Sequence, residues 1–346
     1  MPASVEVVRG HVVESLHRLS VAVARPDGTL VAHSGEPDLV TFWRSAAKFF
    51  QAIPLVAEGA ADAFGVDDEE LALACASHNG EPRHVEVARR LLARSGSLEA
   101  DLVCGPHPSL TESVARAMAG RGEKPTRLHN NCSGKHAAML VLARHRGWDR
   151  AAYAQPDGAV QSRCFEEVRG WTGLAPELEI SHATDGCGVP SFALSLRHMA
   201  TAYARLAAGP SLLARGAPLE GVSVGSVRAA ARLLAAVRRH PFLIAGTERL
   251  DTQVIEATGG RVIAKVGAEG VYCAALPELK LGVALKVEDG ALRALAPALL
   301  GVLDALLPSP VPNLDAHRRP VLTNTRGVEV GYVIARVELT RGARIG

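Results

Sequence analysis

The first residues able to do covalent chemistry are a serine and a lysine three apart, in Ser45-Ala46-Ala47-Lys48. On a helix that spacing sets both side chains on nearly the same face, with Cβ atoms about 5–6 Å apart, so the amine can reach the hydroxyl. Alone, the run is an N-cap serine followed by a solvated lysine. It is joined by Ser77-His78-Asn79 in a glycine-containing turn and by Lys265-Val266-Gly267 at the end of a strand-like run. Singly, Ser77 is a turn residue and Lys265 an edge charge; the ordered set points to serine nucleophilic catalysis with lysine as base. A lysine at its ordinary pKa of about 10.4 stays protonated. Base chemistry therefore requires burial and a second ammonium nearby, and Lys48 and Lys265 would perturb each other in that way.

A second group is Asn130-Asn131-Cys132-Ser133-Gly134-Lys135-His136, with Asp185-Gly186-Cys187-Gly188 further on. Cys132 and Cys187 are soft ligands at element boundaries, and His136 stands four residues after Cys132. Two thiolates with one nitrogen or oxygen and a water make an open zinc site. The spacing equally fits buried small thiols, and Cys75, Cys104, Cys164 and Cys273 show no partner pattern. Residues 245–252, rich in hydrogen-bonding groups, precede a helix and could bind a ligand or cap that helix, the sequence favouring the cap.

Composition narrows the classes. The chain has 346 residues, 48% of them hydrophobic and 4% aromatic, with 38 Lys+Arg against 36 Asp+Glu, a net charge of +2. The apolar fraction suffices for a real core. Scattered basic residues leave no strip to track a phosphate backbone, and the few aromatics leave no base-stacking platform, so nucleic acid is not an expected partner. No run of 18 uncharged apolar residues marks a membrane span. The first residues lack the basic and apolar regions of a secretory signal, so a cytoplasmic protein with reduced thiols is expected.

The elements that must position these residues follow from periodicity. Residues 19–33 read as a β-hairpin around Pro26-Asp27-Gly28. Residues 45–58 read as a helix with Phe49, Ile53 and Val56 on one face and Ser45 near its start; residues 81–95 and 133–146 read as two more, the latter capped by Ser133 and ended by Gly147. Helices are expected at 192–206 and 222–237. After Gly260 the pattern changes to short strands at 261–266, 270–275 and 280–287, then a helix at 291–307 and a strand at 327–339. The expected fold class is α+β: one 346-residue domain with an antiparallel sheet formed by both chain ends (about 1–44 and 260–346) and a largely helical middle (about 45–259).

The ordered motifs also resemble a family. S-x-x-K, S-x-N and a K-[ST]-G in which Val266 replaces the hydroxyl residue are similar to the penicillin-recognising serine hydrolases and their glutaminase relatives. More specifically, Arg44-Ser45-Ala46-Ala47-Lys48, residues 75–81, residues 131–136, residues 185–188 and residues 265–270 resemble the signature blocks of the rhizobial-type (class 3, asparaginase II) L-asparaginases, in family order over residues 44–270. The resemblance implies a β-lactamase/glutaminase-like fold, a homodimer, and hydrolysis of L-asparagine to L-aspartate and ammonia. It implies Ser45 as nucleophile, with Lys48, Ser77 and Lys265 as the other catalytic residues. It implies zinc held by Cys132, Lys135 and Cys187, and substrate contacts from Arg44, His78, Asn131, Asp185, Gly186, Glu269 and Gly270. Oxyanion donors are expected from backbone N–H groups near Ser45 and along residues 265–268. Where the family pattern has a third cysteine, this chain has Asp251. The competing readings are a glutaminase, a penicillin-recognising hydrolase, and a non-catalytic protein binding zinc or an amino acid.

Overall fold

Both chain ends carry the period-two alternation of a half-buried sheet: Val5 and Val7 are buried, while Ser4 and Glu6 beside them are partly exposed. The computed structural model describes residues 2–342 and divides into two units.

The first unit comprises the chain up to Ala46, Leu194–Ala208, and the chain from Ala257 onward. Its core is a nine-stranded sheet. Ser4–Arg9 and Val12–Ala24 form an opening hairpin, and Val12–Ala24 then pairs with both Leu30–Ser34 and Leu281–Val287. Leu281–Val287 pairs with Val271–Leu276, and that strand with Ile263–Val266. On the other side Ser4–Arg9 pairs with Glu329–Arg336, next to Val321–Thr323. Thr340–Arg341 pairs with Leu30–Ser34. Each of these pairings is antiparallel, so the α+β class with a sheet drawn from both chain ends holds. The hairpin expected at residues 19–33 is present, but the chain opens one hairpin earlier. The three late strands lie where the β-rich runs put them. The Leu292–Leu306 helix packs on Glu329–Arg336. Arg205 ties the first part of the Leu196–Ala214 helix to this unit by donating from Nε to Pro26 O at 2.8 Å.

One expected boundary moves. Residues 192–195 belong to the strand Pro190–Ser195, paired with His182–Thr184, rather than to a helix beginning at Phe192. Ser195 is the reason, because its Oγ accepts the His198 N–H at 3.3 Å and so caps the helix that starts after it.

The second unit comprises Ala47–Ala193 and Gly209–Glu256 and is mainly helical. Its central helix, Lys48–Ala57, has eight buried residues and packs against Val224–Arg239, Ala159–Thr172 and Ser133–Arg146. A helix buried all round is a core element. The Asp68–Ala74 helix, absent from the periodicity reading, starts with a capping box in which Asp67 accepts from Glu70 N and Glu70 accepts from Asp67 N. The expected helix at 81–95 is Pro82–Arg94. At 133–146 the helix is present, but Cys132 occupies the N-cap position. Ser133 lies inside the first turn, and its hydroxyl is used elsewhere, donating to Leu128 O at 2.9 Å. Among the described residues no helix is long and apolar enough to cross a membrane.

Candidate active site

In the helical unit, the Ser77 turn and the first residue of the central helix meet. Lys48 is 1% exposed, and its Nζ donates to Ala76 O at 2.6 Å and Asn131 O at 3.2 Å and lies 3.0 Å from Ser77 Oγ. The amine is therefore directed at the Ser77 turn, a partner 29 residues away that helical spacing does not encode. Asn131 O also accepts the His78 N–H, which closes the turn on the segment leading to Cys132.

His78 is buried beside Ser77, and both of its ring nitrogens are engaged within the protein: Nδ1 accepts from Gly80 N at 3.1 Å and Nε2 is 3.0 Å from Ser133 Oγ. Its ring stacks on His84, which stacks on Phe242. Burial, then His84 and Lys48, push the His78 pKa well below its ordinary value; burial brings His84 down to about 4. Both rings are thus neutral at physiological pH.

The sulfur group forms in the same unit. Gly134 lets the Ser133–Arg146 helix start against the end of Asp68–Ala74, where a Cβ would collide with Leu73 O and lie 2.7 Å from Leu73 Cγ. That start delivers Cys132, Lys135 and His136. Lys135 Nζ donates to Cys187 Sγ at 3.3 Å. A hydrogen bond from Cys132, opposed by burial and reinforced by Lys135 and His136, drives the Cys187 thiol far below its usual range; Cys132, bonded to that thiolate and buried, is pushed up. Burial works against the Lys135 charge, yet Cys187, Cys132 and Asp185 outweigh it and raise its pKa. His136 Nδ1 is held by Tyr153 OH at 2.7 Å, while its Nε2 is buried without a hydrogen-bond partner.

No group of three or more His, Cys, Asp and Glu among the described residues is arranged to hold a metal. The donor set implied by the resemblance has two such residues, its third member being the Lys135 amine. Two sulfurs and a nitrogen, buried together beside an orphaned imidazole nitrogen, fit a soft ion such as zinc. Binding would require Cys132 and Lys135 to release protons. Asp185 and Gly186 form the partly exposed turn before Cys187, with Asp185 N donating to Val189 O.

In the sheet unit, Ser45 lies in the 3-10 turn Arg44–Ala47. Arg44 adopts a left-handed φ of 54°, a conformation a non-glycine residue holds at a cost of order 1–3 kcal/mol and one that clusters at functional sites. The turn is gripped from both sides. Trp43 Nε1 donates to Cys273 Sγ at 3.4 Å, and Tyr203 OH donates to Ala46 O at 2.7 Å. Lys265, fully buried, pairs with Cys273 across the sheet and donates to Val266 O. Gly267 brings this strand end against Trp43, where a Cβ would lie 2.9 Å from Trp43 O. Ser45 and the Lys265 strand are thus neighbours through Trp43. The Gly267 N–H, expected as an oxyanion donor, is taken by Val271 O at 2.8 Å, because the chain turns there into the next strand. Glu269 is exposed with a left-handed φ of 56°, and Gly270 O accepts from Val287 N.

The family pattern of L-asparaginase II matches residues 5–335. The chain belongs to the L-asparaginase II family. No curated protein matches it by sequence. Among solved structures it is similar to the protein Mglu in its native form, with 14% identity over 83% of this chain and 59% of that one, at a TM-score of 0.38. It is also similar to a β-lactamase from Mycobacterium bovis, with 16% identity, 83% and 94% coverage and a TM-score of 0.40. A penicillin-binding protein homologue from Pyrococcus abyssi gives 12% identity, 94% and 84% coverage, and 0.34. The chain spans about three fifths of Mglu's length. Within this asparaginase II chain, Asp251, in the place expected of a third cysteine, is 1% exposed and pairs with Arg249 across 3.9 Å. Tyr153, Trp43 and Tyr203 were not legible as supporting residues, since each acts through a contact distant in sequence.

Proposed function

We propose that the protein hydrolyses the side-chain amide of L-asparagine to L-aspartate and ammonia through a serine acyl-enzyme. The observation that carries this reading, beyond the family, is the set of partners around the Lys48 amine. Two of its three neighbours, Ala76 O and Asn131 O, are carbonyls that can only accept. The third, Ser77 Oγ, accepts from the same Nζ at 3.0 Å, which sets the hydroxyl and the amine within proton-transfer distance. Lys48 is arranged to take a proton from Ser77 and return it.

Ser45 is the nucleophile of this reading, supported by the family motif around it and by the left-handed Arg44 before it. Its Oγ bonds to the amide carbon. The C–N bond breaks once the leaving nitrogen has gained the serine's proton, and ammonia departs. Water then adds to the ester, the C–O bond to serine breaks, and the hydroxyl is restored. Ser77 and Lys48 hold and return the proton in both halves. Asn131 and Asp185 are the polar groups we assign to the substrate's amino and carboxylate ends, with Arg44, Glu269 and Gly270 as further proposed contacts. His78 supports the turn, both of its nitrogens being used internally. Cys132, Cys187 and Lys135 would hold zinc, which when bound supplies a positive centre for holding the substrate.

The test is ammonia release from asparagine by the wild type and by Ser45→Ala. Activity lost in the variant supports the assignment; undiminished turnover removes Ser45 as nucleophile. Glutamine as a second substrate measures selectivity, one methylene being worth about 1–3 kcal/mol.

A further inference from the structure

We propose that Arg249, acting through Asn79, is the positioning residue of the Ser77–Lys48 pair, an inference that rests on the amide-hydrolase reading above. Asn79 stands where an S-x-N motif would turn its amide toward a substrate. The structure turns it inward instead. Asn79 is 1% exposed, its Oδ1 accepts from Thr111 Oγ1 at 3.1 Å and Arg249 Nη1 at 3.0 Å, and its Nδ2 donates to Thr247 O at 2.9 Å and reaches Glu81 Oε1 at 3.4 Å. A primary amide has two acceptor sites and two donors. All four are occupied by the protein, so Asn79 has no capacity left for a ligand.

The guanidinium of Arg249 completes the clamp. The same Nη1 that holds Asn79 donates to Ser77 O at 3.1 Å, so one group spans the turn from the backbone of Ser77 to the side chain two residues on. Asp251 lies 3.9 Å from its other terminal nitrogen and steadies it. The backbone is laced to the same segment, with Ser77 N donating to Ile244 O and Asn79 N to Ala245 O, both at 2.9 Å. Gly246, at φ 110°, permits this approach, since a Cβ there would collide with Glu81 Oε1 and lie 2.8 Å from His84 Cε1. Segment 244–249 is therefore the mould in which the Ser77 turn is cast.

Two of the three groups around the Lys48 amine, Ala76 O and Ser77 Oγ, sit on that turn. Loosening it separates hydroxyl from amine while leaving the proposed substrate contacts at Asn131 and Asp185 in place. Arg249 should accordingly govern kcat and leave KM nearly unchanged, whereas an arginine binding the substrate carboxylate would govern KM.

The experiment compares wild type, Arg249→Ala and Arg249→Lys by ammonia release from asparagine, with and without millimolar guanidinium, and by hydrogen exchange of the peptide containing residues 76–80. The proposal expects Arg249→Ala to lose about 100-fold in kcat, the scale of a 1 Å misplacement, at nearly constant KM. It expects guanidinium to restore part of that loss. Arg249→Lys, which grips one acceptor at a time, should fall in between, and exchange at residues 76–80 should accelerate in Arg249→Ala. A rise in KM at constant kcat, or full activity in Arg249→Ala, overturns the clamp while leaving the amidase reading intact. A wild type that releases no ammonia overturns the amidase reading; exchange then decides the clamp, and unchanged protection of residues 76–80 in Arg249→Ala refutes it.

Discussion

Replacing Lys48 with methionine separates the two things a buried lysine can do, hold segments together and move protons. Methionine has a similar length and no polar head. Of the amine's three partners, Asn131 O keeps the His78 N–H, and Ser77 keeps its own hydroxyl hydrogen for a new acceptor. Ala76 O loses the 2.6 Å bond. One stranded buried carbonyl costs about 1–3 kcal/mol, offset in part because an amine no longer has to be desolvated. In a chain of this size such a loss lowers Tm by only a few degrees, at about 2–4 °C per kcal/mol. Lys48→Met should therefore fold. Its ammonia release should fall by about 10²- to 10⁴-fold, the usual contribution of a positioned base. Thermal denaturation paired with a coupled ammonia assay measures both. A variant that melts near the wild-type temperature and keeps wild-type kcat would refute the proton-carrying role and leave Lys48 a structural cross-link.

Gly134→Ala places a methyl group against Leu73 O in two packed helices; it should destabilise by about 1–3 kcal/mol despite alanine's higher helix propensity, and a raised Tm would contradict the packing described. Stability should fall as pH drops through His84: its folded pKa of about 4 lies below its ordinary value of 6.5, so the neutral ring stabilises the fold above pH 6.5. That contribution, about 3 kcal/mol, is lost progressively toward pH 4. Denaturant midpoints across this window should slope less in His84→Gln than in wild type; identical slopes would contradict the assignment. Cys187→Ser should abolish retention of zinc, read by elemental analysis after dialysis, and full retention would exclude Cys187 as a ligand.

The sheet was largely visible in the sequence because its late strands alternate between clear breakers, Gly267, Gly270, Pro277 and Gly290. The helical unit was less so. Residues 190–195 are apolar enough to serve either element, and only Ser195, as a cap, settles the boundary. Ser133 has the residue type of a cap, but Leu128 and His78 claim its hydroxyl. Site residues were legible as types, and their pairings were not. S-x-x-K drew attention to Ser45 and Lys48, yet the Lys48 amine is directed at the Ser77 turn. His78 and Asn79 stand beside a candidate catalytic serine, and the structure uses both to build the turn. Arg249 had no motif to announce it, because its role comes from partners 170 and 172 residues away.

A serine ester formed in turnover can be caught by intact-mass analysis of enzyme quenched during asparagine hydrolysis, followed by peptide mapping. An aspartyl adduct is expected on the peptide containing Ser45, absent in Ser45→Ala. Ammonia release with no adduct, or an adduct mapping to Ser77, would contradict it.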